Sequence, residues 1–108
     1  MGDDDALQII KASNPARLTI SGEIDESGYP VLIESLAAAA GHQEIHVDLG
    51  GVTYCDLAGL RAIICLAEPS SGCRSPARRV VLHAAPPWFR EILQILGWDA
   101  IPGIELTN

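Results

Sequence analysis

The residue types and spacing that could do chemistry are densest at Tyr54-Cys55-Asp56-Leu57-Ala58-Gly59-Leu60. An aspartate just before a helical apolar run can cap that helix, because its carboxylate accepts free N–H groups of the first turn and sits at the positive end of the helix dipole. With Asp56 as N-cap, Leu57, Ala58 and Gly59 are the first helical positions, and their outward N–H groups form a seat suited to a phosphate. Glu23, Asp25 and Asp48 could join Asp56 in an acidic rim. Several carboxylates can hold a hard cation, but aspartates at strand ends more often cap helices and form turns, so capping is the favoured reading and no metal site is expected.

Catalytic alternatives find less support. There is no Gly-rich phosphate loop, no Gly-x-Ser-x-Gly elbow and no zinc-binding helix. His42, His46 and His83 have no spacing that pairs them with a nucleophile, and His83 ends a buried strand, where a satisfied histidine is expected. Asp25 and Asp56 could do acid–base work, yet nothing in the sequence marks a substrate pocket. Cys55, Cys65 and Cys73 are odd in number and lack a CxxC motif, which fits reduced thiols and neither a disulfide framework nor a zinc site. Cys55 and Cys65 read as core filler, and Cys73 lies in a polar loop. Arg61 is the lone cation on an apolar helix directly after the turn and must be exposed, since burial without a counter-charge is unfavourable. There it can face solvent or an acidic patch on a partner.

The composition narrows the classes further. The 108 residues make one domain, 48% hydrophobic and 5% aromatic, so the core must be mostly Leu, Ile, Val and Ala. A formal charge of −7 argues against nucleic acid, which needs a cationic footprint. Met-Gly-Asp-Asp-Asp carries neither a basic region nor an apolar run, so no signal peptide is expected, and no stretch is long and apolar enough to span a bilayer. The expectation is a cytoplasmic protein with a flexible acidic segment over 1–6 and one domain over 7–108.

Leu7–Lys11 and Ala16–Ser21 alternate around the turn formers Ala12-Ser13-Asn14-Pro15 and predict a β-hairpin. Ser27–Ala40 carries Leu32, Ile33, Leu36, Ala39 and Ala40 at helical spacing, with Asp25 or Ser27 as cap, Pro30 in the first turn and Gly41 as the stop. Glu44–Leu49 has period two, with Ile45, Val47 and Leu49 on one face and His46 and Asp48 on the other. Leu57–Glu68 predicts a largely sunken helix ended by Pro69. Residues 69–79 read as a loop bearing Arg74, Arg78 and Arg79. Val80–His83 predicts a buried strand, and Pro86-Pro87 opens a helix with Phe89, Ile92, Leu93 and Leu96 on one face and Gly97 at its end. Trp88 should pack on the neighbouring loop, and Ile104–Leu106 could add an edge strand. The resulting α/β order, β-β-α-β-α-β-α-(β), implies a mixed sheet with an N-terminal hairpin and helices packed on it.

Ser21-Gly22-Glu23-Ile24-Asp25, His46-Val47-Asp48-Leu49-Gly50-Gly51-Val52-Thr53-Tyr54-Cys55-Asp56-Leu57-Ala58-Gly59-Leu60 and Ala84–Gly97 together resemble the STAS domain of bacterial anti-sigma factor antagonists. The likeness covers nearly the whole chain after residue 7. It implies a non-enzymatic module without cofactor that docks on an anti-sigma factor of the histidine-kinase-like ATPase type and releases a sigma factor. It also implies a switch in which the kinase phosphorylates a serine of an Asp-Ser-Ser-Gly-Leu turn and so blocks docking by repulsion and desolvation. In this chain the acceptor position is Ala58 and its neighbour is Leu57, so neither can take a phosphate. Thr53, Ser70 and Ser71 carry hydroxyls but do not match the motif. The docking surface implied is Asp25, Asp56, Leu57, Ala58, Gly59 and Arg61. Ala58-Gly59-Leu60 is also similar to the Asp-Thr-Ala-Gly-Leu turn of the cytoplasmic STAS subunit of bacterial phospholipid ABC transporters, which docks on a transporter ATPase. A scaffold STAS module is a further alternative.

Overall fold

A computed structural model describes residues 6–12, 16–39, 42–67 and 79–107. Within them the chain forms β1 (Gln8–Ala12), β2 (Ala16–Ile24), a 3-10 turn (Glu26–Gly28), α1 (Tyr29–Ala39), β3 (Glu44–Cys55), α2 (Leu57–Ile64), β4 (Arg79–His83), α3 (Pro87–Leu96), a second 3-10 turn (Trp98–Ala100) and β5 (Ile104–Thr107). The expected acidic segment up to Asp5, the stop at Gly41, and the loop with Cys73, Arg74 and Arg78 lie outside the described residues.

The five strands follow one another across the sheet in chain order. β1 and β2 pair antiparallel, as the hairpin reading requires, and each later pair is parallel. Three strand–helix–strand crossovers that all step the same way, each right-handed, must lay α1, α2 and α3 on one face. The buried side chains agree: Leu18, Ile20, Ile45, Val47, Val80 and Leu82 from the strands join Leu32, Leu36, Leu60, Ile63, Phe89 and Leu93 from the helices in one cluster. Aliphatic side chains supply nearly all of it, as the low aromatic content demands.

β3 runs beyond the period-two stretch that ended at Leu49. Its partners on β2 jump twice, from Thr19↔Asp48 to Ser21↔Gly51 and from Gly22↔Val52 to Glu23↔Tyr54. Each jump inserts one unpaired residue, a β-bulge, so inward positions become Leu49, Val52 and Cys55 at spacings of three. Gly51 permits the first bulge to close: a Cβ there would come within 2.7 Å of Ser21 Cβ. β4 pairs with β3 only from Glu44 to Asp48, so the second half of β3 has a ladder on one side alone among the described residues.

Three local expectations need correction. Ile33 faces solvent, because the buried stripe of α1 is Leu32, Ser35, Leu36 and Ala39. α2 stops at Ile64 and passes through a turn at Cys65–Ala67, with Cys65 half-buried. Arg79 is not loop: it starts β4 and pairs with Glu44 and Glu105, which hold its charge, while the hydrogen bonds from Arg79 lower the Glu105 carboxyl below its usual range.

The sheet face away from the helices is polar. Arg17 reaches Asp48 at 3.4 Å. A chain of hydrogen bonds then crosses β3, β4 and β5, and with Glu44 ionised one set of proton positions satisfies it while both rings are neutral. His46 Nε2 donates to Glu44 Oε1 at 3.0 Å, His83 Nε2 donates to His46 Nδ1 at 2.7 Å, and Thr107 Oγ1 donates to His83 Nδ1 at 2.8 Å. Desolvation, with Arg17 and His46 nearby, lowers the pKa of His83. His83 is thus the satisfied histidine expected from its position.

Candidate functional site

β2 and β3 end side by side at Ile24↔Cys55, so the turns that follow them meet at one end of the sheet. That register brings Asp25 next to Asp56. Asp25 caps the first 3-10 turn, its Oδ1 accepting from Ser27 N at 3.0 Å and Ser27 Oγ at 2.6 Å. Asp56 is extended at φ −82° and caps α2, its Oδ1 accepting from Gly59 N at 2.8 Å. Asp56 N donates to Ile24 O at 3.1 Å, which ties the two strand ends together.

A tyrosine that sequence spacing did not single out completes the arrangement. Tyr29 Oη donates to Asp56 Oδ2 at 2.6 Å from 27 positions away. Since the phenol must keep its proton to make this bond, its pKa rises to about 12. The signal that could have found Tyr29 is the βαβ order itself: the first turn of α1 must start beside the end of β2, and a parallel β3 ends in the same place. With both carboxylate oxygens engaged, Asp56 is a poor general base and a poor metal ligand. Among the described residues no group of three His, Cys, Asp or Glu side chains could hold a metal ion. The Cys55 thiol is pushed up to about 12 by burial first and the Asp56 charge second, so it stays a protonated, unreactive thiol, donating to Asp56 O at 3.4 Å.

Of the expected surface residues, Leu57, Ala58 and Arg61 are exposed, with Leu57 at 59%. Arg61 forms no hydrogen bond or ion pair among the described residues. Gly59 points inward instead. Its missing side chain is what lets α2 sit against β2, since a Cβ would fall 2.3 Å from Ile24 Cγ2 and 3.2 Å from Asp56 Oδ1. Asp48 does not join the acidic rim, because it lies on the polar face and bonds Arg17 and Gly50 N. Tyr54, 50% exposed, and Val31, 52% exposed, add apolar surface at this end.

A family model described as "Mlab, STAS domain" matches residues 7–106. No curated protein matches the sequence closely enough to count. Among solved structures, an anti-sigma factor antagonist from Mycobacterium paratuberculosis superposes with a TM-score of 0.77 at 19% identity, covering 99% of this chain and 92% of that one. The anti-sigma factor antagonist SpoIIAA in its unphosphorylated form gives 0.64 at 15% identity over 95% of this chain and 88% of that one. The Bacillus cell fate determinant SpoIIAA in its phosphorylated form gives 0.62 at 15% identity over 95% and 92%. The mixed sheet with its three helices is thus the fold of those proteins, and the chain belongs to the STAS-domain family.

Proposed function

We propose that the chain is a non-enzymatic regulatory module of the cytoplasm that docks through the Asp56–Arg61 turn, with Asp25 beside it, onto an anti-sigma factor of the histidine-kinase-like ATPase type and thereby frees a sigma factor. One observation carries this reading: at the N-terminus of α2 the polar side chains of Asp25, Asp56 and Tyr29 are held by one another or by the backbone, while Leu57 and Ala58 stand bare. Such an end offers a rigid apolar contact surface with one free cation, Arg61, at its flank. It does not offer an acid, base or nucleophile. Ala58 occupies the family's phospho-acceptor position, so docking is constitutive at this turn.

Pull-down with the tagged chain, followed by calorimetry on the captured ATPase, tests the proposal. Recovery of a kinase-like anti-sigma factor, with affinity lost in Ala58→Asp and unchanged folding, is the expected result. Incubation with that kinase and ATP should leave the mass of the 57–59 turn unchanged. A phosphate there, or wild-type affinity in Ala58→Asp, overturns the assignment of this surface. The second reading, a transporter regulatory subunit, draws support from Ala58-Gly59-Leu60, and recovery of an ABC ATPase with its permease would replace the first. An enzyme would be revealed by turnover that collapses in Asp56→Ala.

A further inference from the structure

At the other end of α1 a hollow of about 240 Å³ opens between the β1–β2 hairpin, the last turns of the helix and His42. Small side chains create it. Ala16 on β2 faces Ala38 and Ala39 on the helix, where larger residues would have narrowed the gap. Leu18 lies among them and makes the lining mostly apolar.

Ser35 is the buried polar residue in this wall. It is 3% exposed and is the buried polar residue of the described core. Its hydroxyl has no hydrogen bond among the described residues, yet no polar side-chain atom there is both fully enclosed and unpartnered. The Ser35 Oγ is therefore not fully enclosed, and the residue lines the hollow. An idle hydroxyl inside a protein is unfavourable, and Ala would fit the same helical stripe with better propensity.

The charges around the hollow have one sign. Lys11 lines it without an ion pair among the described residues, whereas Arg17 is committed to Asp48 on the polar face. Among the described residues no carboxylate lines it, in a chain of net charge −7. The unfavourable dipole end of α1 is partly answered by His42, whose Nδ1 donates to Ala39 O at 2.9 Å.

We propose that this hollow is a binding site for a small carboxylate with a short apolar body. Lys11 supplies the counter-charge, the Ser35 hydroxyl hydrogen-bonds the carboxylate, and the alanines and Leu18 enclose the hydrocarbon. The volume suits a ligand smaller than a drug-sized molecule. It lies along the last turns of α1, the Asp56 turn lying against the first, on a helix about 16 Å long.

Amide chemical-shift titration of the full chain with sodium butyrate tests the site, with butylammonium chloride and sodium sulfate as probes of opposite charge and of charge without a body. Saturable shifts confined to Lys11, Ala12, Leu18, Ser35 and Ala38 are expected for butyrate, with a dissociation constant on the order of 1 mM, and none for the two controls. Ser35→Ala should melt higher than the parent and bind butyrate about fivefold more weakly, as loss of one hydrogen bond implies. Ala38→Leu should fill the hollow and abolish the shifts with the fold intact. Absence of saturable shifts, equal response to butylammonium, or a Ser35→Ala variant that melts lower than the parent would each overturn the proposal.

Discussion

The two ends of α1 solve opposite problems. At its N-terminus Tyr29, Asp25 and Asp56 have hydrogen-bond partners, and Leu57 and Tyr54 are left bare on the outside. At its C-terminus the alanines are small, and the Ser35 hydroxyl is inside without a hydrogen-bond partner among the described residues. Firmly held polar groups beneath an exposed apolar surface suit contact with another protein, where a preorganised turn loses little entropy on docking. An unsatisfied group beside empty space suits a small molecule that completes it. The same helix thus presents a finished surface at one end and an unfinished one at the other.

Substitutions can break this contrast at the finished end. Gly59→Val should have the largest effect, because the new side chain starts inside Ile24 and also presses on Asp56. A loss of about 3 kcal/mol is expected in urea denaturation, in the upper range for overpacking. Asp56→Ala should follow at about 1 kcal/mol for the lost cap. It should also bring Tyr29 titration, read by ultraviolet absorbance, down from about 12 toward its ordinary value of 10.0. The sign of the pH effect follows from the raised value: what the Tyr29 bond adds to stability is whole below pH 10 and is lost as the pH climbs toward 12. Tyr29→Phe should therefore remove that alkaline slope.

On the polar face, His83 has a lowered pKa, so the unfolded chain takes up a proton near pH 6.5 before the folded one does. Stability should fall as the pH drops below that value. His83→Asn should flatten this acidic slope in melting curves without touching the alkaline one. The smallest effect belongs to Leu57→Ser, expected within about 0.5 kcal/mol of the parent because the side chain is exposed. Binding to a captured ATPase should nonetheless fall, and a variant that is both stable and fully binding would break the contrast between the two ends.

The element order, the hairpin and the Asp56 cap were legible in the sequence because each rests on local periodicity or on a residue next to the element it serves. What the sequence hid came from register. Tyr29 and Asp56 meet only because two parallel strands end together, and no local pattern encodes that alignment. The bulges of β3 were hidden because they change the inward spacing from two to three after Leu49, where the period-two stretch stops. Ser35 escaped for a related reason: in the buried stripe of α1 it takes the place where an apolar residue is expected, and Ile33 drew attention to the wrong face. Of the residues expected at the turn, Leu57, Ala58 and Arg61 are exposed, whereas Gly59 is buried and its value lies in the atoms it lacks.

The bulges of β3 have one more effect. Among the described residues the strand is bonded on one side only from Gly50 to Tyr54, leading up to the turn that carries Leu57 and Ala58. A straight, half-clad strand beside exposed apolar residues is a template onto which another chain's strand can add, and from which a fibril can be seeded. Two inserted residues in so short a run spoil the regular spacing such growth requires. The same bulges that shape the approach to the turn thus also make this strand a poor template for growth.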